Sequence, residues 1–144
     1  MHAASGSSVN LRFALPAAML RPYVTTYYST DALCSPREPW LEDYLHPEWA
    51  NLRFLGGAQV QSVIGPGEPQ PCPAFTVSGP TSRAARFRLQ SGRFWGIGLL
   101  PAGWAALFAA QAGDYADRII DGMADPVFAA FAPLVRALAA SDGD

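Results

Sequence analysis

FWGIGLLPAGWAALFAAQAG, residues 94–113, is a run of twenty residues without a charged side chain, about the length an α-helix needs to cross a bilayer. Its punctuation argues for something else. Gly96, Gly98, Gly103 and Gly113 interrupt it, and Pro101 falls where the hydrophobic period changes. From Arg93 to Leu100 the side chains alternate, with Trp95, Ile97 and Leu99 on one face and Phe94, Gly96, Gly98 and Leu100 on the other, as in a strand buried on both sides. After Pro101, Trp104, Leu107, Phe108, Ala112 and Tyr115 recur at three- and four-residue steps and stack along one helical face. The run therefore reads as a strand, a turn and a buried helix of a water-soluble body. Gly96-Ile-Gly98 imitates the start of a dinucleotide-binding GxGxxG, but Pro101 stands where the third glycine would bring helix and strand together. The strand before it reads as the second arm of a hairpin, so the glycines are assigned to relief of crowding in a twisted sheet.

Composition sets the outer bounds. A chain of 144 residues, half of them hydrophobic, suffices for one domain with a sizeable core. All ten basic residues are arginine, and the formal net charge of -2 leaves no excess of positive charge to neutralise phosphates. Direct DNA binding by these residues is not expected. Cys34 and Cys72 lie in proline-rich loops without a CxxC or CxxH neighbourhood, so free thiols are expected and no zinc site. MHAASGSS at the amino terminus has no basic segment leading into an apolar core, which predicts a cytoplasmic protein with no membrane partner. Residues 1–10 are expected to be flexible and residues 11–140 to form a single domain.

Strands are predicted upstream of the run: Leu11, Phe13 and Leu15 alternate, VTTYYST is β-branched and aromatic, and NLRFLGG ends in a turn. In AQVQSVIG, Val60, Ser62 and Ile64 alternate against Gln59, Gln61 and Val63. Prolines 66, 69, 71 and 73 exclude helix and central strand from PGEPQPCP. AFTVSGP and ARFRLQ supply two more strands, with Ser91-Gly92 as a hairpin turn into the next. From Ala102 onward the chain reads as helix. Asp125-Pro126 supplies an N-cap and first-turn proline, Val127, Phe128, Phe131, Leu134, Val135 and Leu138 form a stripe, and Pro133 predicts a kink or restart. Strands first and helices last is an α+β order: a mainly antiparallel barrel or sandwich of cupin-like character followed by C-terminal helices.

The motifs for chemistry are sparse. His2 is terminal, leaving His46 as the one serious histidine, too few for the HxH-with-Glu-and-His cluster of a cupin metal site. No GxSxG, Walker loop or Cys-His pair is present, so no catalytic residue, cofactor or metal is assigned. WLEDYLHPEW offers more, because Trp40, Tyr44, His46 and Trp49 have the chemistry of an apolar pocket with a few orienting groups. Arg53 and Arg83 have the donors to meet an anionic ligand. The alternative is that the aromatics are core and the arginines are solvated or paired with Glu42, Asp43 or Glu48.

LRPYVTTYYST, VSGPTSRAARFRL and GIGLLPAGWAALF running into DYADRIIDG together resemble, in order and spacing, the amino-terminal sensor region of bacterial AraC-type transcriptional regulators, over about Leu11 to Asp125. The resemblance implies a β-rich, non-enzymatic domain that senses a small-molecule effector and controls DNA reading by two helix-turn-helix motifs. Those motifs are absent from this chain, so contact with nucleic acid would come only through a missing C-terminal domain. It also implies a homodimer formed by the trailing helices, with Trp104, Leu107, Phe128, Phe131, Leu134 and Val135 as interface candidates. Two other readings remain at this point: a stand-alone small-molecule-binding protein, and an enzyme on a β-barrel scaffold.

Overall fold

A computed structural model describes residues 6–141. Within them are ten strands: β1 Ser8–Ala14, β2 Val24–Leu33, β3 Leu41–Leu45, β4 Asn51–Phe54, β5 Val60–Ile64, β6 Gln70–Pro71, β7 Phe75–Ser78, β8 Ala85–Leu89, β9 Gly92–Leu99 and, after helix α1 (Pro101–Leu107), β10 Ile119–Asp121; β3, β6 and β10 lie outside the segments that the sequence reads as strands. Helix α2, Ala132–Ala139, ends the described chain. All pairings are antiparallel and build two sheets, a six-stranded one ordered β1-β2-β9-β4-β7-β10 and a four-stranded one ordered β3-β8-β5-β6. This is α+β, with two open sheets facing each other rather than one closed barrel. From β2 to β9 the chain passes repeatedly from one sheet to the other, so strands next to each other in sequence mostly lie in different walls.

The uncharged run divides as its punctuation predicts. β9 ends at Leu99 and lies in the middle of the larger sheet, paired with β2 and β4. Pro101 opens α1, where its missing N–H costs nothing. Among the described residues no helix is long and apolar enough to cross a membrane. The hairpin assigned to Ser91-Gly92 is corrected: β8 belongs to the four-stranded sheet and β9 to the six-stranded one, so the turn carries the chain across. The Ser91 hydroxyl fixes the crossing by accepting the Cys34 amide at 2.7 Å. β8 and β9 are both half-apolar, but they show their inner faces to each other across the interior, which a hairpin does not permit.

The helical reading after Ala102 also needs correction. α1 stops at Leu107, a 3₁₀ turn covers Ala112–Tyr115, and β10 adds an edge strand to β7. The continuous stripe breaks accordingly: Trp104 and Phe108 are buried, whereas Leu107 is 48% exposed. Pro126 opens a 3₁₀ segment to Phe131 and the α-helix restarts at Ala132, with Pro133 inside its first turn. The Asp125 carboxylate caps this segment by accepting the Val127 amide at 3.0 Å, and with its other oxygen accepts the Tyr115 hydroxyl at 2.8 Å. β1 begins at Ser8, inside the stretch expected to be flexible, whereas residues 1–5 lie outside the described part.

The core lies between the larger sheet and the trailing helices. Leu52 and Phe54 of β4, Phe75 and Val77 of β7, and Leu99 of β9 meet Trp104, Phe108 and Phe128. Phe54 stacks on Phe75 with centroids 5.0 Å apart, and Phe108 meets Phe128 edge-on at 4.8 Å. The Trp104 indole N–H donates to the Ala110 carbonyl at 2.8 Å, so its burial leaves no donor unpaired.

Gly103 brings α1 against the turn that precedes β2: a methyl group on it would run into the backbone carbonyl of Tyr23, while one on Gly113 would meet open space. Gly103→Ala is therefore expected to cost about 2–3 kcal/mol, and Gly113→Ala to change stability by less than about 0.5 kcal/mol. Thermal denaturation of the two variants checks this; equal midpoints would mean that α1 does not dock there.

Candidate functional site

Period two gives the larger sheet a second face. In β4, Leu52 and Phe54 point to the core, so Asn51 and Arg53 point the other way. The register continues the pattern across the sheet, with Arg53 opposite Thr76 and Gly96, and Asn51 opposite Ser78 and Gly98. Facing them from the smaller sheet are Ala85, Phe87 and Leu89 of β8 and Val60, Ser62 and Ile64 of β5. Between the walls lies a cavity of about 650 Å³, within the range that holds a drug-sized molecule.

A polar cluster forms the floor. The Tyr28 hydroxyl donates to Asn51 Oδ1 at 2.7 Å. Arg53 donates through Nη2 to Glu48 Oε1 at 2.7 Å and through Nη1 to Ser78 Oγ at 3.4 Å. The Arg53 side chain is 17% exposed and that of Glu48 31%. Burial opposes the charge on Arg53, but Tyr28 and Glu48 more than offset it and hold its pKa above the ordinary value. Burial raises the Tyr28 pKa, against the pull of Arg53. The Gly96-Ile-Gly98 pair makes room for this floor. A methyl group on Gly96 would occupy the space of the Tyr28 ring, and one on Gly98 that of the Thr25 hydroxyl. The glycines thus serve packing within the sheet.

Of the residues nominated from sequence, His46 and Arg53 line the cavity, His46 at its exposed rim. The arginine pairing foreseen with Glu48 is made by Arg53. Trp40 lies away from the cavity under the Arg88 guanidinium, 4.1 Å from ring centroid to Cζ. Tyr44 and Trp49 are 64% and 56% exposed and line no part of it. Arg83 is exposed, with its side chain over Gly65. Of the interface candidates, Trp104 and Phe128 are sealed within the core, Phe131 and Val135 pack against it partly buried, and Leu107 and Leu134 reach the surface. Tyr28, Asn51, Ser62 and Phe94 complete the cavity and were not singled out from sequence, although alternation in VTTYYST and NLRF already sets Tyr28 and Arg53 on faces of their strands. Among the described residues no group of three or more His, Cys, Asp or Glu is placed to hold a metal ion.

No protein-family model matches the chain, and no curated protein or solved structure is significantly similar to it.

Cys34 and Cys72 are both free thiols, and Cys72 lines the cavity. Burial pushes the Cys72 thiol up from its ordinary 9.0 to about 11, partly countered by Arg53. At pH 8 its reaction with iodoacetamide is therefore expected to be about a hundredfold slower in the folded than in the unfolded chain. Because the folded state holds this proton more tightly, the contribution to stability is complete below pH 9.0 and is lost as pH rises towards about 11. Cys72→Ala should remove that part of the alkaline decline in the denaturation midpoint; an unchanged decline, or equal alkylation rates, would contradict a thiol whose pKa is raised by partial burial.

Proposed function

We propose that the chain is the effector-sensing module of an AraC-type transcriptional regulator, that the effector sits between its two sheets, and that its trailing helices pair two copies in the cytoplasm. The observation that carries this reading is the cavity of about 650 Å³ with an apolar wall and a hydrogen-bonded polar floor. Two facing antiparallel sheets with the chain passing between them agree with a cupin-like domain, and the helices follow in the order the resemblance implies. The segments that carry the resemblance supply β2, the β7 to β8 passage, the β9 to α1 passage and β10.

The architecture supplies a route for sensing. β9 contributes Phe94 and Gly98 to the cavity, packs Leu99 in the core and reaches α1 at Pro101. A ligand that binds one arrangement of β9 and α1 better than another shifts the population of the two, and a DNA-reading domain attached behind the helices would be presented differently in each. The sensing domain needs no phosphate-binding face of its own, in keeping with its net charge of -2.

A thermal-shift screen of small metabolites tests the sensing role. A ligand at a hundred times its Kd adds about 2.7 kcal/mol, a rise of several degrees that should vanish when Ser62→Trp fills the cavity. A flat response throughout would remove the sensing role and leave dimerisation. For that role, sedimentation of Leu107→Glu and Leu134→Glu is decisive, because both side chains are on the surface and neither change disturbs the core: a dimer that dissociates supports the helical interface, and an undisturbed dimer contradicts it.

A further inference from the structure

The polar floor of the cavity is satisfied unevenly. Thr30, Asn51, Thr76 and Ser78 line the cavity, and each is more than nine-tenths buried. Thr76 donates its hydroxyl proton to the Pro73 carbonyl at 2.6 Å. In Asn51 and Ser78 only the acceptors are engaged: Asn51 Oδ1 accepts the Tyr28 hydroxyl, and Ser78 Oγ accepts Arg53 Nη1. A donor remains on each, since among the described residues neither Asn51 Nδ2 nor the Ser78 hydroxyl proton meets an acceptor. Thr30 keeps an unpartnered hydroxyl as well, but it stands apart, opposite Phe94.

The Asn51 amide is oriented from behind. The positive charge of Arg53 acts on Tyr28, which turns the phenol proton away from the guanidinium and onto Asn51 Oδ1. Nδ2 is then the end of the amide left for the cavity. It is not sealed in: among the described residues the buried, unpaired side-chain nitrogen closed off from outside space is Arg88 Nε. Gly98, across from Asn51, leaves the space beside the amide open, because a methyl group built on it would lie 3.9 Å from Nδ2. Asn51 and Ser78 are cross-strand partners in β4 and β7, with β-carbons at about 5 Å in such a register. Two neighbouring donors suit one atom with two lone pairs, as a carbonyl oxygen has. Both are neutral, and Glu48 answers the charge of Arg53, so an anion placed on them would lose its water without gaining a counter-charge.

We infer that Asn51 and Ser78 together hold the oxygen of a neutral carbonyl compound, an apolar ketone whose hydrocarbon body lies against Phe87, Leu89 and Phe94. This rests on the proposal that the cavity is a ligand site. An apolar wall with a few placed donors is the usual make-up of such a site. The expectation from sequence that Arg53 and Arg83 receive an anion is thereby replaced: Arg53 is occupied and Arg83 is exposed outside the lining.

Equilibrium dialysis at neutral pH with 2-acetylnaphthalene, 2-isopropenylnaphthalene and 2-naphthoate tests it, because the ketone and the olefin share a shape and differ in the carbonyl oxygen. They also differ in hydration, so the readout is the ratio of their affinities in the wild type against the ratio in each variant. Asn51→Asp keeps the acceptor for Tyr28 and removes the donor. It is expected to lower the ketone's affinity relative to the olefin's by about fivefold, the worth of one hydrogen bond. Ser78→Ala is expected to lower it by a similar factor, and it carries the test if circular dichroism shows that the aspartate variant does not fold. Naphthoate should bind more weakly than the ketone, and Ser62→Trp should abolish binding of all three. If the ratio is unchanged in either folded variant, or naphthoate binds as tightly as the ketone, while Ser62→Trp still abolishes binding, the carbonyl inference fails and the cavity remains a ligand site. If neither ketone nor olefin binds up to its solubility limit, or binding is indifferent to Ser62→Trp, both the inference and the site are overturned.

Discussion

Alternation along three neighbouring strands of the larger sheet governs everything else in the molecule. In β4, β7 and β9, one set of side chains, Leu52, Phe54, Phe75, Val77 and Leu99, joins the aromatic core under the helices. The intervening set, Asn51, Arg53, Thr76, Ser78, Gly96 and Gly98, faces the cavity. A slip of one residue in β4 would exchange the two and drive the Arg53 guanidinium into a cluster of phenylalanines. Burying an unpaired charge there costs far more than burial of one further apolar side chain could return, which is why the register is specified so firmly. The strand order places β4 between β9 and β7, so its register is fixed from both sides.

The two faces are held by different forces. On the core side, apolar area and aromatic geometry act: Phe128 packs on Trp104, Phe108 and Tyr115, all through edge-on rings with centroids between 4.8 and 5.8 Å apart. Asp125 links the parts, because its carboxylate both starts the last helical segment and holds Tyr115. The same bond raises the Tyr115 pKa. On the cavity side, hydrogen bonds satisfy a floor that would otherwise be costly to remove from water: Tyr28 to Asn51, and Arg53 to Glu48 and Ser78. β9 belongs to both faces and runs into α1, so one covalent segment joins the floor to the helices.

How much of this is legible in the sequence follows from what each signal measures. Alternation identifies β2, β4, β5, β7, β8 and β9, and the proline at 101 with the change of period locates the end of β9. Pro133 announces the restart of the helix. Alternation says which residues share a face but not which sheet a strand enters, so Ser91-Gly92 reads as a hairpin although it joins the two walls. The apolar, alanine-rich stretch after Ala102 reads as helix throughout because short apolar segments such as Ile119–Asp121 carry no period of their own; pairing with β7 makes that one a strand. For the site, Arg53 and His46 are visible as unusual residues beside aromatics. Tyr28 and Asn51 are not, since their role depends on strands distant in sequence meeting at one floor.

Both faces require β9 to be an extended strand that they share, with helix beginning only at Pro101. Nuclear magnetic resonance assignments across residues 92–107 report on this without an intermediary. Extended backbone shifts are expected as far as Leu99 and helical shifts from Pro101, together with cross-strand contacts from Gly96 to both Tyr28 and Arg53, its partners on either side. Helical shifts running unbroken through Pro101, with no contact from Gly96 to either neighbour, would contradict it.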